Sequence, residues 1–168
     1  MKKYLLSVII FTSLYFNCDT TSPSNDIEFG IYLLQDSSLT TSDVKDKKLE
    51  SIKLQNNPIM NLDDIISYNW EKHLITLTPE ARGRFENLDK KVKSTDGSPF
   101  VFVAKKDKIY LGNIYPLFSS YIHMDLPYFQ VAPFKELKII RAPSENIEDK
   151  RNDDRISSIL QEHNKIVK

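Results

Sequence analysis

Residues 100–115, FVFVAKKDKIYLGNIY, predict the centre of the fold. Two apolar runs, 100–104 and 109–114, flank a polar turn around Lys106 and Asp107. Short runs of β-branched and aromatic residues on either side of a polar turn are typical of a β-hairpin. We therefore expect two antiparallel strands joined by a short turn.

The segment before the hairpin predicts a strand that leads directly into a helix. Residues 73–78, HLITLT, alternate and are rich in β-branched side chains, which favours a strand. Thr78 is a suitable N-cap, and Pro79 suits the first helical position. The helix that follows has apolar residues along one side, namely Ala81, Phe85, Leu88 and Val92.

Weaker signals account for the remaining elements. Alternating apolar residues predict strands at 27–36, 49–55 and 137–141. Capping residues and apolar spacing predict helices at 61–70 and 147–167. The second of these helices has an apolar stripe formed by Ile156, Ile159, Leu160 and His163. A proline-broken aromatic run at 117–134 predicts an irregular covering segment.

Together these elements define an expected fold class. Hairpins mixed with helices favour an α+β domain with a small, mostly antiparallel sheet and helices packed on one face. Residues 27–168 suit a single domain, because most domains contain roughly 50 to 200 residues.

The N-terminal segment predicts export. Lys2 and Lys3 precede an uncharged apolar run at 4–16, and a polar stretch follows the single cysteine, Cys18. A basic start and a short apolar run are typical of a secretory signal, while a membrane-spanning helix needs about 20 apolar residues. We expect a signal peptide at 1–17 and a tether at 18–26.

Residues 14–18, LYFNC, resemble the lipobox of bacterial lipoprotein precursors. The resemblance implies that Cys18 carries a diacylglycerol thioether and further acyl chains such as palmitate, and that it anchors an exported protein to a membrane of the cell envelope. Which membrane and which face remain open. The family usually has Gly, Ala or Ser where this chain has Asn17. The alternative is a free thiol, since a single cysteine forms no internal disulfide.

Residues 73–115 resemble part of the periplasmic head of SecD, a subunit of the preprotein translocase. The resemblance lies in ITLTPEARGRFENL at 75–88 and in the hairpin that follows. It implies an α+β module and does not extend to translocase activity.

An aromatic cluster is the main candidate for ligand binding. It comprises Tyr110, Tyr115, Phe118, Tyr121, Tyr128 and Phe129. Aromatic side chains concentrated in this way suit a groove for a peptide, a glycan or another envelope protein, and they equally suit a core that covers the sheet. We therefore expect the domain to have a binding or structural role rather than a catalytic one.

Signals for catalysis are weak. Ser119, Ser120 and His123 are close in sequence, and a small envelope hydrolase is the alternative function. However, no Gly-x-Ser-x-Gly motif accompanies them. The three histidines lack metal-ligand spacing, and no cofactor motif is present, so we predict neither a metal nor a cofactor. Equal numbers of basic and acidic residues, 23 each, argue against a nucleic-acid partner.

Overall fold

The computed structural model describes residues 29–88, 92, 94–117, 119–131 and 136–168. These residues form strands β1 (Phe29–Leu33), β2 (Ile65–Asn69), β3 (Leu74–Leu77), β4 (Ser98–Ala104), β5 (Asp107–Pro116), β6 (Tyr128–Val131), β7 (Glu136–Lys138) and β8 (Ile166–Val167). They also form helices α1 (Thr41–Val44), α2 (Pro79–Leu88) and α3 (Asp154–Glu162), with single 3-10 turns at Leu49–Ser51 and Lys150–Asn152.

The predicted hairpin is confirmed as β4 and β5, which pair antiparallel. Its two-residue turn consists of Lys105 and Lys106, whose φ angles are 50° and 69°. Positive φ at both central residues is what a type I′ turn requires, and this turn matches the twist of the paired strands. Phe100 lies opposite Gly112, where the ring occupies the space that a side chain on Gly112 would need.

The strands form two four-stranded sheets, so the fold is α+β as predicted. Sheet I has the order β1-β4-β5-β6, and sheet II has the order β7-β3-β2-β8. Four of the neighbouring pairs are antiparallel, whereas β5–β6 and β2–β8 are parallel. The fold therefore contains two mixed sheets where the sequence led us to expect one.

Sheet I is buried on both faces. Neighbouring residues of a strand point to opposite faces, so Ile31 and Phe102 join the main core while Tyr32 and Val101 join a smaller cluster. The main core also contains residues of sheet II and of helices α2 and α3. The smaller cluster is completed by side chains from 39–54, which cover the other face. This double burial explains why β4 is apolar at nearly every position.

The helix that begins at Pro79 is confirmed. Of the helix predicted at 147–167, only Asp154–Glu162 is α-helical, because a 3-10 turn at Lys150–Asn152 precedes it and strand β8 follows it. Thr78 Oγ1 accepts a hydrogen bond from the backbone N–H of Ala81, so it caps α2 as expected. In α3, the predicted stripe residues Ile156, Ile159 and Leu160 are buried. His163 lies at the C-cap and is exposed, because the chain reverses at Asn164 (φ 55°) before β8 pairs with β2.

Three predicted elements were wrong. Residues 61–70 contain strand β2, because mutual hydrogen bonds between Asn61 and Asp64 close only one turn before Ile65 pairs with β3. The proposed strand at 49–55 is a 3-10 turn followed by an isolated bridge from Leu54 to Leu34. The irregular segment at 117–134 contains β6, which pairs with β5.

Gly30 allows the chain at 59–61 to pack directly against β1. Its φ is 147°, and a β-carbon there would overlap the carbonyl oxygen of Met60. The backbone N–H of Ile31 donates to that same oxygen at 2.9 Å. Gly30 is therefore a site of close backbone approach.

Candidate functional site

A cleft of about 350 Å³ opens at one end of sheet I. Its apolar lining comes from four different parts of the chain and comprises Leu33, Leu34, Leu39, Leu88, Val92, Pro99 and Ile114. Its polar lining comprises Asp36, Ser37, Gln55 and Ser98. This volume lies at the lower end of the range for small-molecule sites, which are typically apolar with a few polar groups.

The polar loop after β1 places Asp36 at the rim of the cleft. The Asp36 carboxylate accepts hydrogen bonds at Oδ1 from the backbone N–H of Ser38 at 3.0 Å and from its hydroxyl at 2.6 Å. These two hydrogen bonds, and more weakly Lys47, lower the pKa of Asp36 below its ordinary value. The carboxylate is therefore ionised at neutral pH, and its orientation is fixed.

Several polar groups of the lining have spare hydrogen-bonding capacity. Within the described residues, the side chains of Ser37, Gln55 and Ser98 make no hydrogen bonds, and Asp36 Oδ2 has no hydrogen-bond partner. Such groups are free to bind a ligand without breaking an existing contact. The cleft thus combines an apolar floor with four available polar groups.

The cleft lies at the end of sheet I where β1 ends and β4 begins. Phe29 pairs with Ala104, which pairs with Asp107, at one end of the sheet. Leu33 and Ser98 lie at the other end, where both line the cleft. Since β1 rises about 3.3 Å per residue, its two ends are about 13 Å apart.

Half of the aromatic cluster predicted from the sequence lies in the core. Tyr110, Tyr115 and Phe129 are buried, because β5 and β6 are central to the packing of sheet I. Tyr128 is half-buried, and Phe118 lies outside the described residues. Tyr121 is exposed, at 51% of its surface, so it is the ring most accessible to a ligand. A ligand-binding role for this cluster stays a prediction.

The serines and the histidine of the alternative hydrolase make other contacts. The Ser119 hydroxyl lies 3.0 Å from the carbonyl oxygen of Thr95 and 2.9 Å from that of Tyr121. His123 is buried, and its Nε2 lies 2.8 Å from Asp96 Oδ1. Ser120 is exposed and makes no side-chain hydrogen bond within the described part of the chain. These side chains therefore do not form a serine–histidine pair.

Asp96 joins three separate segments. Besides His123, it accepts hydrogen bonds from the backbone N–H and the hydroxyl of Ser42, both at 2.9 Å. Burial opposes ionisation of this carboxyl, but the hydrogen bonds from Ser42, Thr40 and His123 outweigh it and lower the pKa of Asp96. Because the carboxylate uses both oxygens in these contacts, the cluster acts as a structural clamp.

A second polar cluster is buried beneath sheet II. The Tyr68 hydroxyl lies 3.1 Å from His73 Nδ1, and burial raises the pKa of Tyr68. Burial, reinforced by the nearby Arg151 guanidinium, lowers the pKa of His73 to about 4. Arg151 donates to both oxygens of Asp149 and to the carbonyl of Ile139. His73 is therefore neutral at pH 7, and its Nδ1 shares a hydrogen bond with the Tyr68 hydroxyl.

Within the described residues, no group of three His, Cys, Asp or Glu side chains is arranged to hold a metal ion. The same part of the chain contains no helix that is both long and apolar enough to cross a bilayer. Cys18, the predicted lipidation site, lies outside the described residues.

Comparison with known proteins gives no relative. No protein-family model, no curated protein and no solved structure matches the chain. The candidate site therefore depends on the geometry of the chain itself.

The cleft was not predicted from the sequence. Its rim residues Asp36, Ser37 and Gln55 lie in stretches that looked like ordinary polar loop or strand end. The only signal was the dense polar run directly after an apolar strand, a pattern that many surface loops share.

Proposed function

We propose that this chain is an exported bacterial lipoprotein, anchored in the cell envelope through Cys18, whose domain binds a small ligand. The anchor is supported by the order of Lys2, Lys3, the apolar run at 4–16 and Cys18. One acyl chain gives only marginal membrane binding, whereas two or three at one cysteine make the attachment stable.

The single observation that carries the binding role is the cleft with its unused polar groups. An apolar floor beside an oriented carboxylate, two hydroxyls and an amide is the composition of a small-molecule site. The cleft lies at the end of β1 opposite Phe29, and Phe29 is the end from which the tether departs.

The tether also limits how far the domain lies from the membrane. Ten residues separate Cys18 from Phe29, and a fully extended segment of that length spans at most about 35 Å. An anchored domain of this kind samples ligands or partners near the membrane surface. The resemblance to the SecD head supports a fold relationship and no transport activity.

Metabolic labelling with an alkyne analogue of palmitate tests the anchor. Wild-type protein is expected to carry the label, and Cys18→Ala is expected to lose it, because the thioether needs the thiol. Ser22→Ala, which alters the tether without touching Cys18, is the matched control and keeps the label. Equal labelling of the wild type and Cys18→Ala would contradict the proposal.

A further inference from the structure

We propose that the cleft at the end of sheet I binds a small primary or secondary organic ammonium ion with an apolar chain, and that Asp36 is its counter-ion. This inference rests on the proposed function only in taking the cleft as the ligand site. It does not depend on the lipid anchor.

The charge of the cleft lining determines which charge a ligand should carry. Asp36 is the one ionised side chain among the described residues that line the cleft, and the other polar groups are neutral. A cation placed there gains an attractive partner and meets no side chain of like charge among the described lining residues. An anion would face the Asp36 carboxylate, and no described lining residue supplies a compensating base.

Two described lysines near the cleft, Lys47 and Lys53, do not reverse the sign of this charge. Lys47 acts on Asp36 only weakly, and with Lys53 it lines a neighbouring cleft of about 300 Å³ that shares the Leu34–Leu39 wall. Lys47 is exposed, so water and salt screen its charge. The Oδ2 atom of Asp36 has no hydrogen-bond partner among the described residues, so it can accept from a ligand.

The polar groups also distinguish between kinds of cation. Ser37, Ser98 and Gln55 each present an oxygen acceptor that is unused within the described chain. An ammonium ion with N–H donors can bond to them and to Asp36. Quaternary ammonium ions are usually held by aromatic rings, and no described lining residue is aromatic. The site therefore favours a cation that donates hydrogen bonds.

The apolar floor of the cleft favours an apolar chain in the rest of the ligand. Leu33, Leu88 and Ile114 come from β1, α2 and β5, and together they present a surface without polar side chains. Burying each methylene of an alkyl chain against such a surface is favourable, because it removes apolar area from water. A straight alkyl chain ending in an ammonium group satisfies both the floor and the rim.

Three probes of equal chain length test the inference: hexylammonium, hexan-1-ol and hexanoate. Binding to purified full-length protein in detergent is followed by NMR shifts of the methyl groups of Leu33, Leu88 and Ile114. We expect hexylammonium to bind most tightly, hexan-1-ol about fivefold more weakly and hexanoate about fivefold more weakly again, since an interaction between exposed charges such as that of Asp36 contributes a factor of about this size.

Two variants test whether Asp36 is the counter-ion of the bound ammonium group. Asp36→Asn is expected to weaken hexylammonium about fivefold and to leave hexan-1-ol unchanged. Asp63→Asn removes the same charge from an exposed position outside the cleft and is expected to change neither. Circular dichroism confirms that both variants are folded.

Two kinds of outcome would overturn the inference. Equal binding of hexylammonium and hexan-1-ol, or equal loss in both variants, would remove Asp36 as the counter-ion. An absence of methyl shifts with all three probes would remove the cleft as the site. Neither outcome affects palmitate labelling at Cys18, so failure of this inference and failure of the anchor are distinguishable.

Discussion

Phe29 and Leu33 lie at opposite ends of β1, and of the two only Leu33 lines the cleft. The strand between them is held on one side by β4 and on the other by the chain at 54–60. Because both sides are hydrogen-bonded, the two ends keep a fixed separation of about 13 Å.

The close approach at Gly30 predicts a large effect of a single methyl group. Gly30→Ala forces a side chain against the Met60 carbonyl at a φ of 147°, so we expect a loss of about 3 kcal/mol in the free energy of unfolding. Urea denaturation measures it. At Gly83 in α2, a β-carbon would meet nothing within 4 Å, so Gly83→Ala should stabilise by about 0.5–1 kcal/mol. Similar effects of both changes would refute the packing described for Gly30.

His73 predicts how stability depends on pH. Its pKa is about 4 in the folded chain against an ordinary value of 6.5, so the unfolded chain binds more protons between these values. Stability is therefore fully present above pH 6.5 and falls as the pH drops towards 4. We expect wild type to lose on the order of 2 kcal/mol more than His73→Asn between pH 7 and pH 4.5.

Urea titrations at both pH values measure this difference. Asparagine does not titrate, and it tolerates the positive φ of 48° found at His73, which makes it a suitable replacement. Identical pH dependence in the two proteins would show that His73 is not held neutral by its surroundings.

Two arginines that each pair with an aspartate show how burial should change the contribution of such a pair to stability. Arg151 and Arg155 each donate Nε and Nη2 to one aspartate, Asp149 and Asp153 respectively. The Arg151 side chain is 10% exposed, and that of Arg155 is 41% exposed. We expect Arg151→Lys to cost about 2 kcal/mol, because lysine cannot reproduce the buried bidentate contact.

Arg155→Lys is the matched control for this substitution. The ion pair of Arg155 with Asp153 is screened by solvent, so the expected loss in the free energy of unfolding is below about 1 kcal/mol. Thermal or urea unfolding of both variants provides the comparison. An equal cost for both would show that burial of Arg151 adds nothing to its pairing with Asp149.

The proposed lipobox predicts how the residue before Cys18 affects the rate of signal-peptide processing. Bacterial lipoprotein precursors usually have a small residue at this position, and the chain has Asn17. Asn17→Gly should therefore accelerate conversion of the precursor to the mature form, which pulse–chase labelling and gel mobility measure. Asn25→Gly in the tether is the control and should leave the rate unchanged. Slower conversion of Asn17→Gly would count against a lipobox at this position.

The parts of the fold that were predictable have strong local signals. The hairpin at 100–115 and the helix that begins at Pro79 are each specified by turn or capping chemistry beside a periodic apolar pattern. By contrast, residues 61–70 have the capping pair Asn61 and Asp64 and also β-branched Ile65 and Ile66. Pairing with β3 decides between these local preferences, and a single sequence does not show that pairing.

The candidate site was less predictable than the fold. Leu33, Leu88 and Ile114 are far apart in sequence, and only the arrangement of sheet I with α2 brings them to one cleft. The aromatic residues attracted notice because of their number, but Tyr115 and Phe129 are needed in the core. Aromatic content alone does not separate a binding surface from a packed interior.

Mass spectrometry of the N-terminal peptide of protein purified from the envelope fraction tests the central claim most directly. We predict a peptide that begins at Cys18 and carries the mass of a diacylglyceryl group with further acyl chains. A peptide that retains residues 1–17, or one in which Cys18 is an unmodified thiol, would contradict the assignment of this chain as a lipoprotein.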